Sequence, residues 1–128
     1  MINSYRLFDA IDPFGRTWRC EFRWQQTAIS IRHADAVDVK WHLAGSDQTL
    51  DKVISLPLPL LMTASSNFDR PITDPWCMKL AAMHLKMMIE TWQDMDKNII
   101  TLTAQELGEA AATVKTVEMD RRQEVLQD

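Results

Sequence analysis

His84 is the side chain of this sequence best placed to do chemistry, because it stands in the middle of an apolar helix face. The segment CMKLAAMHLKMMIE, residues 77–90, has helical spacing, with Cys77, Ala81, His84 and Met88 on one side. Such an imidazole can be a core residue with satisfied hydrogen bonds, a polar anchor in a ligand pocket, or a general base. The core role is favoured, since a base needs an orienting carboxylate and none stands three or four residues away.

A second histidine, His33, is expected to face the same interior. Alternation along residues 27–33 puts His33 on the sheet face that carries Trp18. If this interior is not completely filled, it forms a pocket with apolar walls and a few polar groups, which is the usual composition of a small-molecule site. The predicted pocket is lined by His84, His33, Trp41, Met88 and Trp92.

The cysteine and histidine pattern gives little support to a metal site. Cys20, His33, Cys77 and His84 could supply four ligands, but no C-x-x-C, H-x-x-x-H or H-E-x-x-H spacing occurs. Cys77 and His84 are about 10.5 Å apart along a helix axis. The chain also has no G-x-S-x-G motif and no glycine-rich phosphate loop. We therefore expect no metal, no cofactor and no assigned catalytic residue.

One polar loop offers a candidate anion site. Residues 63–74, TASSNFDRPITD, form the longest stretch without a periodic pattern, and they lead into a helix N-terminus. Arg70 and Thr73 could hold an anion there, whereas Asp69 and Asp74 would repel it. An ordinary connection between two elements is the favoured interpretation of this loop.

Size and charge limit the class of protein. The chain has 128 residues, the size of one domain, and a net charge of −4 with basic residues scattered among acidic ones. That distribution disfavours nucleic-acid binding. No apolar run approaches the ~18 residues that cross a bilayer, and the start, MINSYRLFDAID, lacks a signal-peptide core. With two cysteines in apolar surroundings, we expect a cytoplasmic protein that binds neither nucleic acid nor membrane.

The N-terminal half has the alternation of β-strands. Strands are predicted near residues 5–8, 16–24, 27–33, 37–43 and 47–56. A two-residue turn at Gln25–Gln26 and a three-residue turn at residues 34–36 would bring every apolar side chain, including Trp18 and Trp24, to one face.

The C-terminal half has helical spacing. A long helix is predicted at about residues 74–95, with Asp74 as a possible cap. Thr103 and Glu106 form a capping box that begins a second helix, at about residues 103–120. A charged, fraying tail is expected from about residue 120.

These elements predict an α+β fold in one domain, residues 1–128. An antiparallel meander of four or five strands has one face covered by the long helix, and the second helix packs beside it or joins a dimer. The favoured function is a non-catalytic binding domain, with a small apolar ligand between sheet and long helix or with a protein partner. Two alternatives remain open, a structural homodimer without a ligand and a small enzyme that uses a buried histidine.

Overall fold

Four antiparallel strands in the N-terminal half are followed by helices, and a short fifth strand from the C-terminal half joins the same sheet. The computed structural model describes residues 4–28 and 35–127, and the side chains of residues 4–27 and 35–121. The strands are β1 (Leu7–Ile11), β2 (Thr17–Ala28), β3 (Ala36–Ala44), β4 (Thr49–Pro57) and β5 (Ile99–Thr101). They lie in the sheet in the order β1-β2-β3-β4-β5, in which the first four strands are antiparallel and β5 runs parallel to β4. The predicted α+β class and the meander are confirmed.

Three helices complete the described fold: α1 (Leu58–Phe68), α2 (Asp74–Thr91) and α3 (Ala104–Gln127). α2 lies against strands β1 to β4, and α3 packs against α1 and α2. The long helix therefore covers the sheet, as predicted, and is itself covered by α3. None of the helices in the described residues is long and apolar enough to span a bilayer.

β3 supplies the centre of the core. Its alternate residues Val39, Trp41 and Leu43 are fully buried, as the two-residue spacing predicts. Trp41 lies opposite Phe22 of β2 and opposite Lys52 of β4. Since directly opposed residues share a face, the indole of Trp41 packs within one continuous layer beneath α2.

The predicted turn at Gln25–Gln26 is wrong. β2 continues to Ala28, and its last residues pair with residues 36–40 of β3. The pairing shifts between Phe22 and Trp24, so that Arg23 has no opposite residue. Such a bulge reverses the alternation that follows. Trp24 consequently lies opposite Lys40 on the outer face and not beside Trp18, and most of the predicted strand at residues 27–33 falls outside the described residues.

Threonine side chains cap the N-termini of α2 and α3. Thr73, and not Asp74, caps α2, since its hydroxyl accepts a hydrogen bond from the Trp76 amide at 3.2 Å. The predicted capping box of α3 is confirmed: the Thr103 amide donates to Glu106 at 3.0 Å, and the Glu106 amide donates to the Thr103 hydroxyl at 3.2 Å. α3 is longer than predicted and continues to Gln127.

α2 ends earlier than its apolar pattern predicted, at Thr91 instead of about residue 95. Trp92 takes a left-handed backbone conformation with φ 61° and ends the helix. A bulky residue is seldom found in that conformation, and packing of its ring has to hold it there.

Candidate functional site

The candidate site is a cleft of about 350 Å³ between the bulge of β2 and the first turn of α2. We call it the β2–α2 cleft. Its described lining consists of two aromatic rings, three charged or amide side chains and two apolar side chains, namely Phe22, Trp24, Arg6, Gln25, Asp74, Pro75 and Met78. A cleft of this size with apolar walls and a few polar groups is typical of a small-molecule site.

The bulge builds the strand side of this cleft. By reversing the alternation after Phe22, it turns Trp24 outward and leaves its side chain 38% exposed. The same reversal directs Gln25 inward, opposite the buried Val39. Two aromatic rings that are only partly covered, Phe22 and Trp24, therefore border the cleft.

Polar contacts fix the two walls relative to each other. The side-chain amide nitrogen of Gln25, Nε2, donates to the backbone oxygen of Asp74 at 3.1 Å. This hydrogen bond joins β2 to the start of α2. The guanidinium of Arg6 lies 5.1 Å from the centre of the Phe22 ring, within the range of a cation–π contact. Phe22 in turn packs edge-on against Trp41, with ring centres 5.8 Å apart. Phe22 thus packs on the core, and the Arg6 guanidinium lies at the edge of the aromatic wall.

The residues of the predicted ligand pocket are distributed among different regions. Trp41 and Met88 are fully buried in the core between the sheet and α2. His33 lies outside the described residues. His84 faces α3, and Trp92 lies at the C-terminal end of α2. The β2–α2 cleft is also between the sheet and the long helix, but it has none of these five residues among its described lining.

Trp92 belongs to an aromatic cluster around Arg16. The Arg16 guanidinium lies 4.9 Å from the Trp92 ring centre and 5.3 Å from that of Phe14. The Trp92 ring also contacts Trp18, at 6.0 Å between centres. These contacts hold the left-handed end of α2 and give Trp92 a structural role.

Asp12 holds the Arg16 side chain in place through an ion pair. Its carboxylate accepts hydrogen bonds from the Arg16 Nε at 2.6 Å and the Trp18 indole at 3.0 Å, and also from the Phe14 and Arg16 amides. Burial raises the pKa of Asp12, but the hydrogen bond from Trp18 and the others outweigh it and lower the pKa to about 2.

His84 faces α3, although the sequence placed it towards the sheet. Its Nε2 atom lies 3.8 Å from a carboxylate oxygen of Glu106, and its side chain is only 2% exposed. That distance is too long for a hydrogen bond, and His84 Nε2 has no hydrogen-bond partner in the part of the chain that the structure describes. Folding therefore brings the carboxylate of Glu106 close to this imidazole. An enzymatic role for His84 would require such a carboxylate.

Arg70 and Thr73, the predicted anion-binding residues, are each engaged by the protein. Thr73 caps α2, and the Arg70 Nη1 atom lies 2.5 Å from the carboxylate of Glu118. Lys79 contacts the same carboxylate at 2.9 Å. Burial raises the pKa of Glu118, but hydrogen bonds from Arg70 and Lys79 outweigh it and leave the pKa lowered. Glu118 therefore occupies the position that a bound anion would take at Arg70.

Lys52 is a buried charged residue that the sequence pattern did not distinguish. It lies on the inner face of β4, with 2% exposure, and its ammonium group donates to the backbone oxygens of Met95 and Lys97 at 2.8 and 2.5 Å. Burial lowers the pKa of Lys52, and Asp96 opposes that shift. The side chain ties β4 to the segment after α2, which is a structural role.

The described residues bring no three His, Cys, Asp or Glu side chains close enough to hold a metal ion. Cys20 and Cys77 are both free and buried. Burial raises the pKa of Cys20 to about 12 and that of Cys77 to about 11, so both stay as unreactive thiols.

The β2–α2 cleft was missed because its residues have no distinctive spacing. Arg6 precedes β1, Trp24 lies in β2 and Asp74 begins α2, and only the bulge brings Trp24 to the edge of the cleft. The one signal in the sequence was the absence of turn-forming residues at Gln25–Gln26, which argues for a continuous strand.

Comparison of the chain with protein-family models, curated proteins and solved structures gives no significant match.

Proposed function

We propose that this chain is a non-catalytic binding domain whose ligand occupies the β2–α2 cleft. The observation that carries the proposal is the pair of partly exposed aromatic rings, Phe22 and Trp24, beside a cleft of about 350 Å³. Aromatic side chains offer large, rigid contact area at low cost in conformational entropy. Their placement at a bulge is typical of sites where a strand redirects a side chain towards a ligand.

The ligand that fits this lining is a small planar molecule with an acidic group. Its apolar body would pack between Trp24 and Met78, and the acidic group would meet the Arg6 guanidinium at the rim. Asp74 limits how deeply a negative charge can enter, because its carboxylate lies at the opposite wall. The acidic group therefore stays at the Arg6 side.

The chemistry of the lining supports binding over catalysis. The ionisable side chains in the described lining are Arg6 and Asp74, and together they do not form a nucleophile with its base. The buried groups with shifted pKa values, such as His84 and Lys52, lie in other parts of the fold.

Replacing Trp24 with alanine is expected to weaken the binding of an aromatic carboxylate, such as naphthoate, by about tenfold or more. The indole forms one wall of the cleft, and its removal exposes the apolar body of the ligand to water. Since Trp24 is partly exposed, the free energy of unfolding should change by less than about 1 kcal/mol. Ligand-observed NMR with the two proteins measures the difference.

Phe14→Ala is the matched control, because Phe14 is an exposed aromatic residue in the Arg16 cluster, away from the cleft. It should leave naphthoate binding unchanged. Equal weakening by Phe14→Ala and Trp24→Ala, or equal binding by all three proteins, would argue against the β2–α2 cleft as the site.

A homodimer through β1 is the second candidate function. β1 is a terminal strand of the sheet, and its side chains Leu7 and Ile11 are 45% and 59% exposed. Exposed edge strands with apolar side chains readily pair with another chain. Light scattering after size exclusion should then give a dimer for the wild type and a monomer for Ile11→Lys. A monomeric wild type at all concentrations would remove this candidate.

We also propose a reducing, cytoplasmic environment for the chain. The two thiols, Cys20 and Cys77, are free and buried, which supports a compartment where disulfides do not form. Fractionation of cells followed by detection of the protein would test this location.

A further inference from the structure

A second cleft, separate from the β2–α2 cleft, lies between α2 and α3. We call it the α2–α3 cleft. It measures about 140 Å³, too small for a drug-sized ligand and larger than the ~30 Å³ that one water occupies. His84 and carboxylates from α3 form its polar part, and its described lining is Met83, His84, Met87, Glu106, Glu109, Ala110 and Thr113.

The charged residues in the described lining of the α2–α3 cleft are all acidic. Glu106 and Glu109 are both acidic, and the described lining includes no lysine or arginine. The Glu106 carboxylate accepts from the Thr103 amide through one oxygen. Its other oxygen is the one near His84, and it also accepts a long hydrogen bond, 3.4 Å, from the side-chain amide of Gln93, which leaves it able to accept another. Two carboxylates without a basic residue among the lining attract a cation.

His84 supplies the second, independent feature. Its Nε2 atom is buried and has no hydrogen-bond partner among the described residues, a condition that costs free energy unless something else satisfies it. Burial lowers the pKa of His84 and outweighs Glu106, Asp94 and Glu109, which raise it. The imidazole is therefore kept neutral, with one nitrogen able to accept a hydrogen bond.

We propose that the α2–α3 cleft binds the ammonium group of a small primary alkylamine, with His84 Nε2 and the Glu106 carboxylate as its acceptors. The two acceptor atoms are 3.8 Å apart, so one nitrogen can lie about 2.8 Å from each. The methylene groups then contact the side chains of Met83, Met87 and Ala110. A metal ion fits less well, because no three metal-ligating His, Cys, Asp or Glu side chains converge in the described residues.

Glu106→Gln is the decisive variant. A glutamine keeps the capping box with Thr103, so α3 still begins correctly, but the negative charge is lost. Glu90→Gln is the matched control, because Glu90 is an exposed carboxylate on α2 whose partner is Lys86. The probe is n-butylammonium chloride, followed by NMR of the Met83 and Met87 methyl groups.

The wild type should show saturable shifts with a Kd on the order of 1–10 mM. Glu106→Gln should weaken binding by about tenfold or more, and Glu90→Gln should leave it unchanged. His84→Leu, checked for folding by circular dichroism, should give the same loss as Glu106→Gln. Tetramethylammonium, which has no N–H donor, and butanol, which has no charge, should bind at least about tenfold more weakly than butylammonium.

Three results would overturn the proposal. The first is the absence of saturable shifts with butylammonium at about 100 mM, well above the expected Kd. The second is equal binding of tetramethylammonium, which would mean that surface charge alone attracts cations. The third is unchanged binding in Glu106→Gln, which is interpretable even if His84→Leu does not fold.

Discussion

Replacing Trp41 with alanine is expected to lower the free energy of unfolding by about 3–5 kcal/mol. Trp41 is fully buried, and its ring packs edge-on against Phe8 and Phe22, with centres 5.7 and 5.8 Å away. Removing the indole leaves a large cavity beneath α2 that the rigid sheet cannot close. Such a loss is a large part of the ~5–15 kcal/mol that stabilises an ordinary domain.

Trp41→Phe separates packing from hydrogen bonding. The indole N–H of Trp41 finds no hydrogen-bond partner within residues 4–28 and 35–127, so phenylalanine removes that unsatisfied group while it keeps most of the ring volume. Its expected cost is about 1–2 kcal/mol. Urea unfolding, with equal m-values for all variants, measures both changes. A cost below about 1.5 kcal/mol for Trp41→Ala would contradict the packed core described here.

Trp41→Ala should also affect the β2–α2 cleft. Phe22 borders the β2–α2 cleft and rests on Trp41. We therefore expect Trp41→Ala to weaken ligand binding as well as stability, whereas Trp24→Ala weakens binding alone.

Replacing Lys52 with methionine is expected to cost about 2–4 kcal/mol. Methionine has a similar length and removes only the charged donor, which leaves the backbone oxygens of Met95 and Lys97 without their ammonium partner. Both bonds to Lys52 are charge-assisted, and the side chain is 2% exposed. In the Lys52→Met variant, the backbone amides of the segment between α2 and β5 should then exchange their hydrogens before those of α2 and β5.

Lys97→Met is the matched control for Lys52, because the Lys97 side chain is 59% exposed and forms an ion pair with Asp94. It should change the free energy of unfolding by less than about 0.5 kcal/mol. Urea unfolding decides between the two. If Lys52→Met were as stable as Lys97→Met, the buried ammonium would add nothing to stability, which happens when an apolar replacement packs equally well.

The sequence predicted the fold where a local pattern and the tertiary contacts agree. The alternation of residues 37–43 matches the buried face of β3, and the Thr103–Glu106 pair matches the start of α3. It failed at β2, because one extra residue at Arg23 reverses the alternation without any glycine to mark it. A bulge is stabilised by neighbouring strands, and those contacts are not visible in the local sequence.

The candidate site was less predictable than the fold. The sequence placed His84 on the sheet side of α2, because a single apolar stripe leaves one face for the core. α2 is instead covered by the sheet and by α3, so apolar residues occur around most of its circumference. In a helix buried on both sides, periodicity does not show which neighbour a residue contacts.

The indole N–H signals of the five tryptophans, followed by NMR during titration with naphthoate, show whether the ligand binds in the β2–α2 cleft. We expect the Trp24 signal to move with saturation while those of Trp41 and Trp18 stay in place. Saturable movement of the Trp41 signal with Trp24 unchanged would contradict this expectation and place the ligand in the core.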